Sequence, residues 1–416
     1  MGNVSSYQPD VIIVGAGLAG LRCASLLHHA GKRVQVLERA GRVGGRVATD
    51  EVDGFQLDHG FQILLTAYPE ARKAFDYKAL RLARFNPGAR LRVNGRWTTV
   101  ADPWRMPSQW LATLSSPVGS LSDKLRIAVL RRAACSDSLA ALWNRPEISA
   151  YDYLRQMGFS ETMISRFFRP FLGGVFLENK LTTSSRMLEF VMRMFAQGDA
   201  CVPEGGMGQL PLQLARQLPP AALRLNAPAV LVEPGRVILE SGECVHAPVV
   251  VLATEARAAA RLAPGSDVIK PGAYREVACH YYAAPAAPMR GPWLLLNGEG
   301  KGPVNNVAVM SETAPGYAPR GQSLIAVSTL DVGTGQKQVR DHLRHWFGAP
   351  VDAWRFLRTY AIPHALPGWD VPSPEAIAPP VKLAKHFYLA GDHTASPSIQ
   401  GALLSGRVTA EAILGG

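Results

Sequence analysis

Residues 10–46 read DVIIVGAGLAGLRCASLLHHAGKRVQVLERAGRVGGR, and the order of the parts in this stretch decides the fold. Val11, Ile12, Ile13 and Val14 are four β-branched residues in a row, as expected of a central parallel strand covered on both faces. Gly15-Ala-Gly17-Leu-Ala-Gly20 follows. Gly15 permits the tight turn, Gly17 lets backbone approach a pyrophosphate, and Gly20 lets the next helix pack closely on the strand. That helix, with Leu18 and Ala19 in its first turn, offers unpaired N–H groups and a positive dipole end to phosphates. It ends at Gly31, and a second strand, VQVLE, closes on Glu38, 18 residues after Gly20, where a carboxylate can accept both ribose hydroxyl protons. A glycine turn alone is weak evidence; strand, helix and acid in this order predict a dinucleotide site.

Arg42-Val43-Gly44-Gly45-Arg46 extends the pattern. Paired glycines admit a second phosphate against bare backbone while a flanking guanidinium neutralises charge. Arg46 is the candidate for that cation, and Arg42 serves equally as a solvated surface residue. With these residues the segment resembles the FAD-binding entry of the superfamily of flavin-containing amine oxidases, phytoene and related carotenoid desaturases, and protoporphyrinogen oxidases. The resemblance implies FAD as cofactor, with Arg39 beside Glu38 among the residues that hold it. It implies an α/β fold in which a Rossmann-like FAD-binding domain, with a parallel sheet and a β-meander, carries a discontinuous α+β substrate domain.

Three further stretches resemble the same superfamily. FQLDHGFQILL (55–65) is similar to the stretch that brings an Asp-x-Gly turn under the isoalloxazine, so Gly60, Phe61 and Gln62 are expected at the flavin. His59 is either a pocket residue or a satisfied structural histidine. CVPEGGMGQLPLQLARQL (201–218) resembles a glycine turn leading into a helix, and alternating strands then return to VVVLAT. By the resemblance, Val230 offers backbone to the adenine and Ala253 lies near the pyrophosphate. HFYLAGDHTASPSIQGALLSGRVTAEAIL (386–414) supplies a last strand, Phe387–Ala390, ending in Gly391-Asp392. Asp392 is expected to accept from a ribityl hydroxyl or to partner a phosphate-binding group. Ser398, Ile399, Gln400 and Ala402 open a helix whose N–H groups face the flavin's pyrimidine oxygen. SIQGALLSG resembles plant-type carotenoid desaturases more than amine oxidases, many of which carry a cage tyrosine where this chain has Ser398.

The implied FAD-binding domain takes 1–75, 201–265 and 380–416, leaving 76–200 and 266–379 for the substrate. In the first substrate block, Phe167, Phe168, Phe171, Phe176, Phe190 and Phe195, with Met187, Met192 and Met194, read as helix core, part of which lines an apolar pocket. Residues 103–143 mix Trp104, Trp110, Leu125 and Val129 with Lys124, Arg126, Arg131 and Arg132, a surface helix or a membrane-facing segment. In the second block, Tyr360, Pro363 and His364 are site candidates because relatives run such a strand past the flavin; none has a spacing that demands chemistry.

The bounds agree with this reading. A chain of 416 residues, 47% hydrophobic, can bury more than one core. No apolar run reaches the roughly 18 residues of a membrane span, and the N-terminus lacks a signal-peptide build, so a cytoplasmic protein, or one peripheral on a membrane, is expected. Gly2 and Ser6 formally fit an N-myristoylation pattern. Five scattered cysteines imply reduced thiols and no metal site. Net charge +11 favours anionic partners, but no nucleic-acid-binding signature accompanies it. The partners expected are a small hydrophobic substrate and oxygen or a quinone as electron acceptor. The function implied is hydride removal from a polyene, isoprenoid or tetrapyrrole-like molecule, with amine oxidation second and a non-oxidising flavoprotein third.

Overall fold

The computed structural model describes residues 8–373 and 381–415; Gly2 and Ser6 lie outside them. Its organising element is a six-stranded sheet in the order Leu223–Arg224, Val34–Leu37, Val11–Val14, Val249–Leu252, Phe387–Leu389 and Val381–Ala384. The first five strands are parallel and the last is antiparallel. Val14 is in register with Leu37 and Leu252, and Leu252 with Leu389. Glu38, Gly15, Ala253 and Gly391 therefore emerge close together at one carboxyl edge, the edge at which open α/β sheets bind ligands. The helices Leu18–His29 and Ile399–Leu414 pack side by side beneath it. Their approach is so close that a Cβ on Gly406 would lie 2.3 Å from the Ala19 carbonyl oxygen.

Between these strands, Ala229–Glu233, Arg236–Leu239 and Cys244–His246 make the expected antiparallel meander. A second, seven-stranded sheet runs in the order Arg355–Pro367, Tyr274–Ala284, Ser323–Thr329, Val304–Val309, Leu294–Leu296, Gly88–Val93 and Arg96–Ala101. The block 76–200 is thus helical in its larger part but lends two strands to the sheet of the later block. Helices between Trp110 and Gln197 cover this sheet's inner side. Cys23, Cys201 and Cys279 are buried, which pushes each thiol up to about 12, and all five cysteines are free. Among the described residues no helix is long and apolar enough to cross a membrane.

Candidate active site

A continuous cavity of about 1240 Å³ begins at the carboxyl edge of the parallel sheet and extends between the second sheet and the helices. In its first half, backbone does most of the lining. The two glycine turns face one another: Gly44 N–H donates to the Ala16 carbonyl at 2.8 Å, and Gly17 and Gly44 form a parallel bridge. A Cβ on Gly17 would meet no protein atom within 4 Å, so that position opens into the cavity. Gly20 is the opposite case: its Cβ would sit 2.1 Å from the Gly15 carbonyl oxygen, and it does not line the cavity. One glycine of the motif leaves room for a ligand, the other lets the helix reach the strand.

Charged groups complete this half. Glu38 is buried, with its carboxylate accepting from Ala16 N–H at 2.8 Å and Ala40 N–H at 2.9 Å, and each oxygen retains a lone pair for a further donor. Arg46 donates to Asp392 at 2.5 Å and to the Ala365 carbonyl at 3.1 Å. Burial works against the Arg46 charge, but Asp392 outweighs it and raises the guanidinium's pKa. Asp392 is thus paired with Arg46, the cation expected to face a phosphate. At the helix Ile399–Leu414, the Ser398 hydroxyl accepts from Gly401 N–H at 3.0 Å, leaving the first N–H groups free of intrahelical bonds. Gln62 donates to the Arg46 and His59 carbonyls at 2.9 and 3.1 Å, which fixes its amide; its Oε1 is buried and unpartnered in the cavity wall. Bare backbone, two helix N-termini, a guanidinium, a carboxylate and an orphaned acceptor are the donor and acceptor set for the phosphates, ribose and polar edge of a dinucleotide, so the residues present fit FAD.

The turn between the two halves is anchored from below. Asp58 is buried and accepts from the Thr49 hydroxyl at 2.6 Å, Met207 N–H at 2.9 Å and the Tyr317 hydroxyl at 2.8 Å. Burial nevertheless dominates and raises its carboxyl to about 6. Next to it, His59 lines the cavity but its ring is occupied. Arg42, which can only donate, lies 3.2 Å from Nδ1, so the proton belongs on Nε2, which is 3.0 Å from Asp50 without the alignment of a full hydrogen bond. Tyr360 packs against that ring at a tilt of 33° with centroids 4.6 Å apart and donates to Asp50 at 2.7 Å, away from the cavity lining. Asp50, which burial alone would raise, is lowered by Tyr360 and His59. His364 also lies off the lining, 2.8 Å from an Arg257 nitrogen.

Of the other residues singled out in the sequence, Gly15, Gly17, Leu18, Ala19, Glu38, Arg39, Gly44, Gly45, Arg46, Gly60, Phe61, Gln62, Ala253, Gly391, Asp392, Ser398, Ile399 and Ala402 all line this cavity. Two do not. Val230 is half exposed because a β-bulge between Ala229 and Leu231 turns it outward, and Ala227, Pro228 and Ala229 line the wall instead. Gln400 accepts from Glu70 N–H at 2.8 Å and ties the last helix to the segment after the Asp-x-Gly turn. Sequence reasoning missed Glu255 and Arg261 near the first strand edge, and Ile362, Leu296 and Asn306 from the second sheet. Glu255 had a local signal, since it caps the helix Ala256–Leu262.

The second half is apolar. Phe167, Phe171, Phe195, Met187 and Met192 line it, while Phe168, Phe176, Phe190 and Met194 are core. The aromatic stripe therefore splits between the two readings. Among the described residues four carboxylates touch the cavity, and each has a partner: Glu38 in backbone N–H groups, Asp392 in Arg46, Glu255 in the Arg257 and Ala258 N–H groups, and Asp102 in Arg131 at 2.6 Å near the mouth.

The sequence profile of a family described as flavin containing amine oxidoreductase matches residues 18–414. The chain is 47% identical over 62 residues to putrescine oxidase of Kocuria rosea, covering 15% of this chain and 13% of that one. It is 36% identical over 101 residues to the zeta-carotene-forming phytoene desaturase of Myxococcus xanthus, covering 23% of this chain and 19% of that one. These matches span less than a fifth of either relative. A solved putrescine oxidase variant superposes with a TM-score of 0.75 at 18% identity, covering 98% of this chain and 99% of the other.

Proposed function

The chain belongs to the flavin-containing amine oxidoreductase family, and from that premise we propose that this FAD-dependent oxidoreductase acts on an apolar polyene, isoprenoid or tetrapyrrole-like molecule and not on an amine. One observation carries the choice: among the described residues every carboxylate lining the cavity already has a hydrogen-bond partner, Glu38 lies in the half that suits the dinucleotide, and the walls beyond the Asp-x-Gly turn are aromatic, Met and aliphatic. An amine would have to shed its charge on entering, whereas an apolar chain gains by burial there. Ser398, in the place of a cage tyrosine, supports the same reading.

FAD, when bound, supplies the two-electron oxidation of a substrate C–H bond. The protein's part is binding, orientation and exclusion of water. Gly17 and Gly45 give bare backbone to the pyrophosphate, Arg46 neutralises it, Glu38 accepts from the ribose, and the Ile399–Leu414 helix start and Gln62 Oε1 meet the polar flavin edge. Phe167, Phe171 and Met187 hold the substrate dry and in a fixed pose. His59, with Arg42 at Nδ1 and the Asp50 carboxylate 3.0 Å from Nε2, orients the turn. The division proposed is 1–75, 201–265 and 380–416 against 76–200 and 266–379; it is supported by the six-stranded sheet drawing only on the first set of segments and the seven-stranded sheet only on the second. The acceptor is oxygen or a quinone, told apart by whether turnover releases peroxide.

The test is anaerobic mixing of the FAD-loaded protein with apolar polyenes and isoprenoids in one series and with mono-, di- and polyamines in another. Loss of the yellow flavin absorbance is expected only in the first. Bleaching by amines, with aldehyde released, would overturn the substrate class.

A further inference from the structure

Of the twelve large apolar side chains exposed among the described residues, seven fall between Trp104 and Val129. Trp104, Trp110, Leu111, Leu114, Leu121, Leu125 and Val129 are 37–65% exposed. Isolated exposed leucines need no explanation; a cluster of this density does. In the helix Leu121–Cys135, Leu130 and Ala134 already point into the core. Leu121, Leu125 and Val129, spaced at i, i+4 and i+8, form a second apolar stripe that faces outward. Trp104, Trp110, Leu114, Leu121 and Leu125 also belong to the cavity wall, so the exposed patch is continuous with the apolar interior and forms its mouth.

From this we propose that the mouth docks on the surface of an anionic lipid bilayer, and that the substrate passes from the acyl-chain region between the helices Trp110–Ser115 and Leu121–Cys135 into the cavity. The passage of substrate rests on the apolar-substrate reading above; the docking does not. Charge favours this occupant. Of the five cations in residues 103–143, Arg105 and Arg131 are paired with Asp199 and Asp102 and Lys124 is turned to backbone carbonyls, which leaves Arg126 and Arg132 without an acidic partner among the described residues, against Asp123 and Asp137. Asp123 is buried and held by Ser120 and Ser160, so it faces no partner outside. At 3.6 residues per turn, Arg132 shares the outward face of the Leu121, Leu125 and Val129 stripe. Leucines to insert, tryptophans for the headgroup level and arginines for lipid phosphates are what a bilayer surface takes up. A second copy seated symmetrically on this face would bring the same arginines together. The platform is also firm: Lys124 Nζ reaches back to the carbonyls of Leu114 and Ser116 at 2.6 and 2.8 Å, and Ser120 and Asp123 form a capping box between the helices.

The test is flotation of the FAD-loaded protein with vesicles of phosphatidylcholine, alone or with about a third phosphatidylglycerol, at low and high salt. The protein should float with the anionic vesicles and be released severalfold by salt. A Leu121→Ser, Leu125→Ser, Val129→Ser variant, changed only at exposed positions, should bind at least about tenfold less while keeping its flavin spectrum. Val268→Ser, exposed elsewhere, should bind as the parent does. Absence of flotation, or unchanged flotation of the triple variant, overturns the proposal. So does a parent dimer in sedimentation that the triple variant converts to monomer, which would assign the patch to a second copy. Because flotation uses no substrate, its failure leaves the apolar-substrate reading standing, and bleaching by amines would leave the docking standing.

Discussion

The two halves of the cavity are built on different principles. Around Gly15, Gly17, Gly44 and Gly45 the wall is backbone, and the few side chains present, Glu38, Arg46 and Asp392, are locked by hydrogen bonds before any ligand arrives. Around Phe171, Met187 and Leu296 the wall is side chain, gathered from helices and from a sheet far apart in sequence. The first half suits groups shared by every FAD, for which a rigid backbone mould suffices. The second half must suit one substrate, and side chains are what differs between one protein and another.

This contrast breaks or sharpens by experiment. The largest effect is expected at Gly20→Ala, where the new methyl would sit 2.1 Å from the Gly15 carbonyl; no folded, yellow protein should be recovered. Gly17→Ala should fold with an unchanged melting temperature yet bind FAD at least about tenfold more weakly, because its methyl fills only ligand space. Equal damage from both would mean that the first half is not a backbone mould.

Next comes Asp58, which anchors the turn where the halves meet. Its folded pKa of about 6 lies above the ordinary 3.8, so the folded protein holds that proton more tightly than the unfolded chain does. The stability it contributes is complete below the unfolded value and lost as pH rises through about 6. Measured by denaturant midpoints against Asp58→Asn, the parent should lose about 2 kcal/mol relative to the variant between pH values of about 4 and 7. A constant difference would mean that the carboxyl is not buried as described.

A smaller and more selective effect is expected from Val175→Trp, which narrows the apolar half. KM for the apolar substrate should rise about tenfold while FAD affinity, read by fluorescence quenching, stays within about twofold. The smallest belongs to Tyr360→Phe. Its hydroxyl serves Asp50 outside the cavity, so turnover and FAD affinity should hold, with less than about 1 kcal/mol lost in stability. A marked fall in turnover would return Tyr360 to the site.

The same contrast governs what could be read from the sequence. Val11–Val14, Glu38 and Gly391 were legible because each acts at a strand end, and strand register carries them to a common edge. Val230 is expected to offer its backbone, and its outward-turned side chain follows from a bulge that nothing in Ala229-Val230-Leu231 announces. Tyr360 and His59 owe their positions to Asp50, which lies 310 positions before Tyr360, and such a pairing leaves no local trace. The Phe and Met stripe was legible as helix but not in its division between core and cavity, since both faces are apolar. The outward stripe at Leu121, Leu125 and Val129 was visible as composition and became specific only with the mouth beside it.

The strand Phe387–Leu389 seats itself against Val250–Leu252, and the helix after it packs on Leu18–His29. During synthesis the opening βαβ unit therefore leaves the ribosome long before the segment that completes its cofactor groove, and a nascent chain halted anywhere before about residue 400 should be colourless. Flavin capture would then report that the segment around residue 400 has docked on the opening unit.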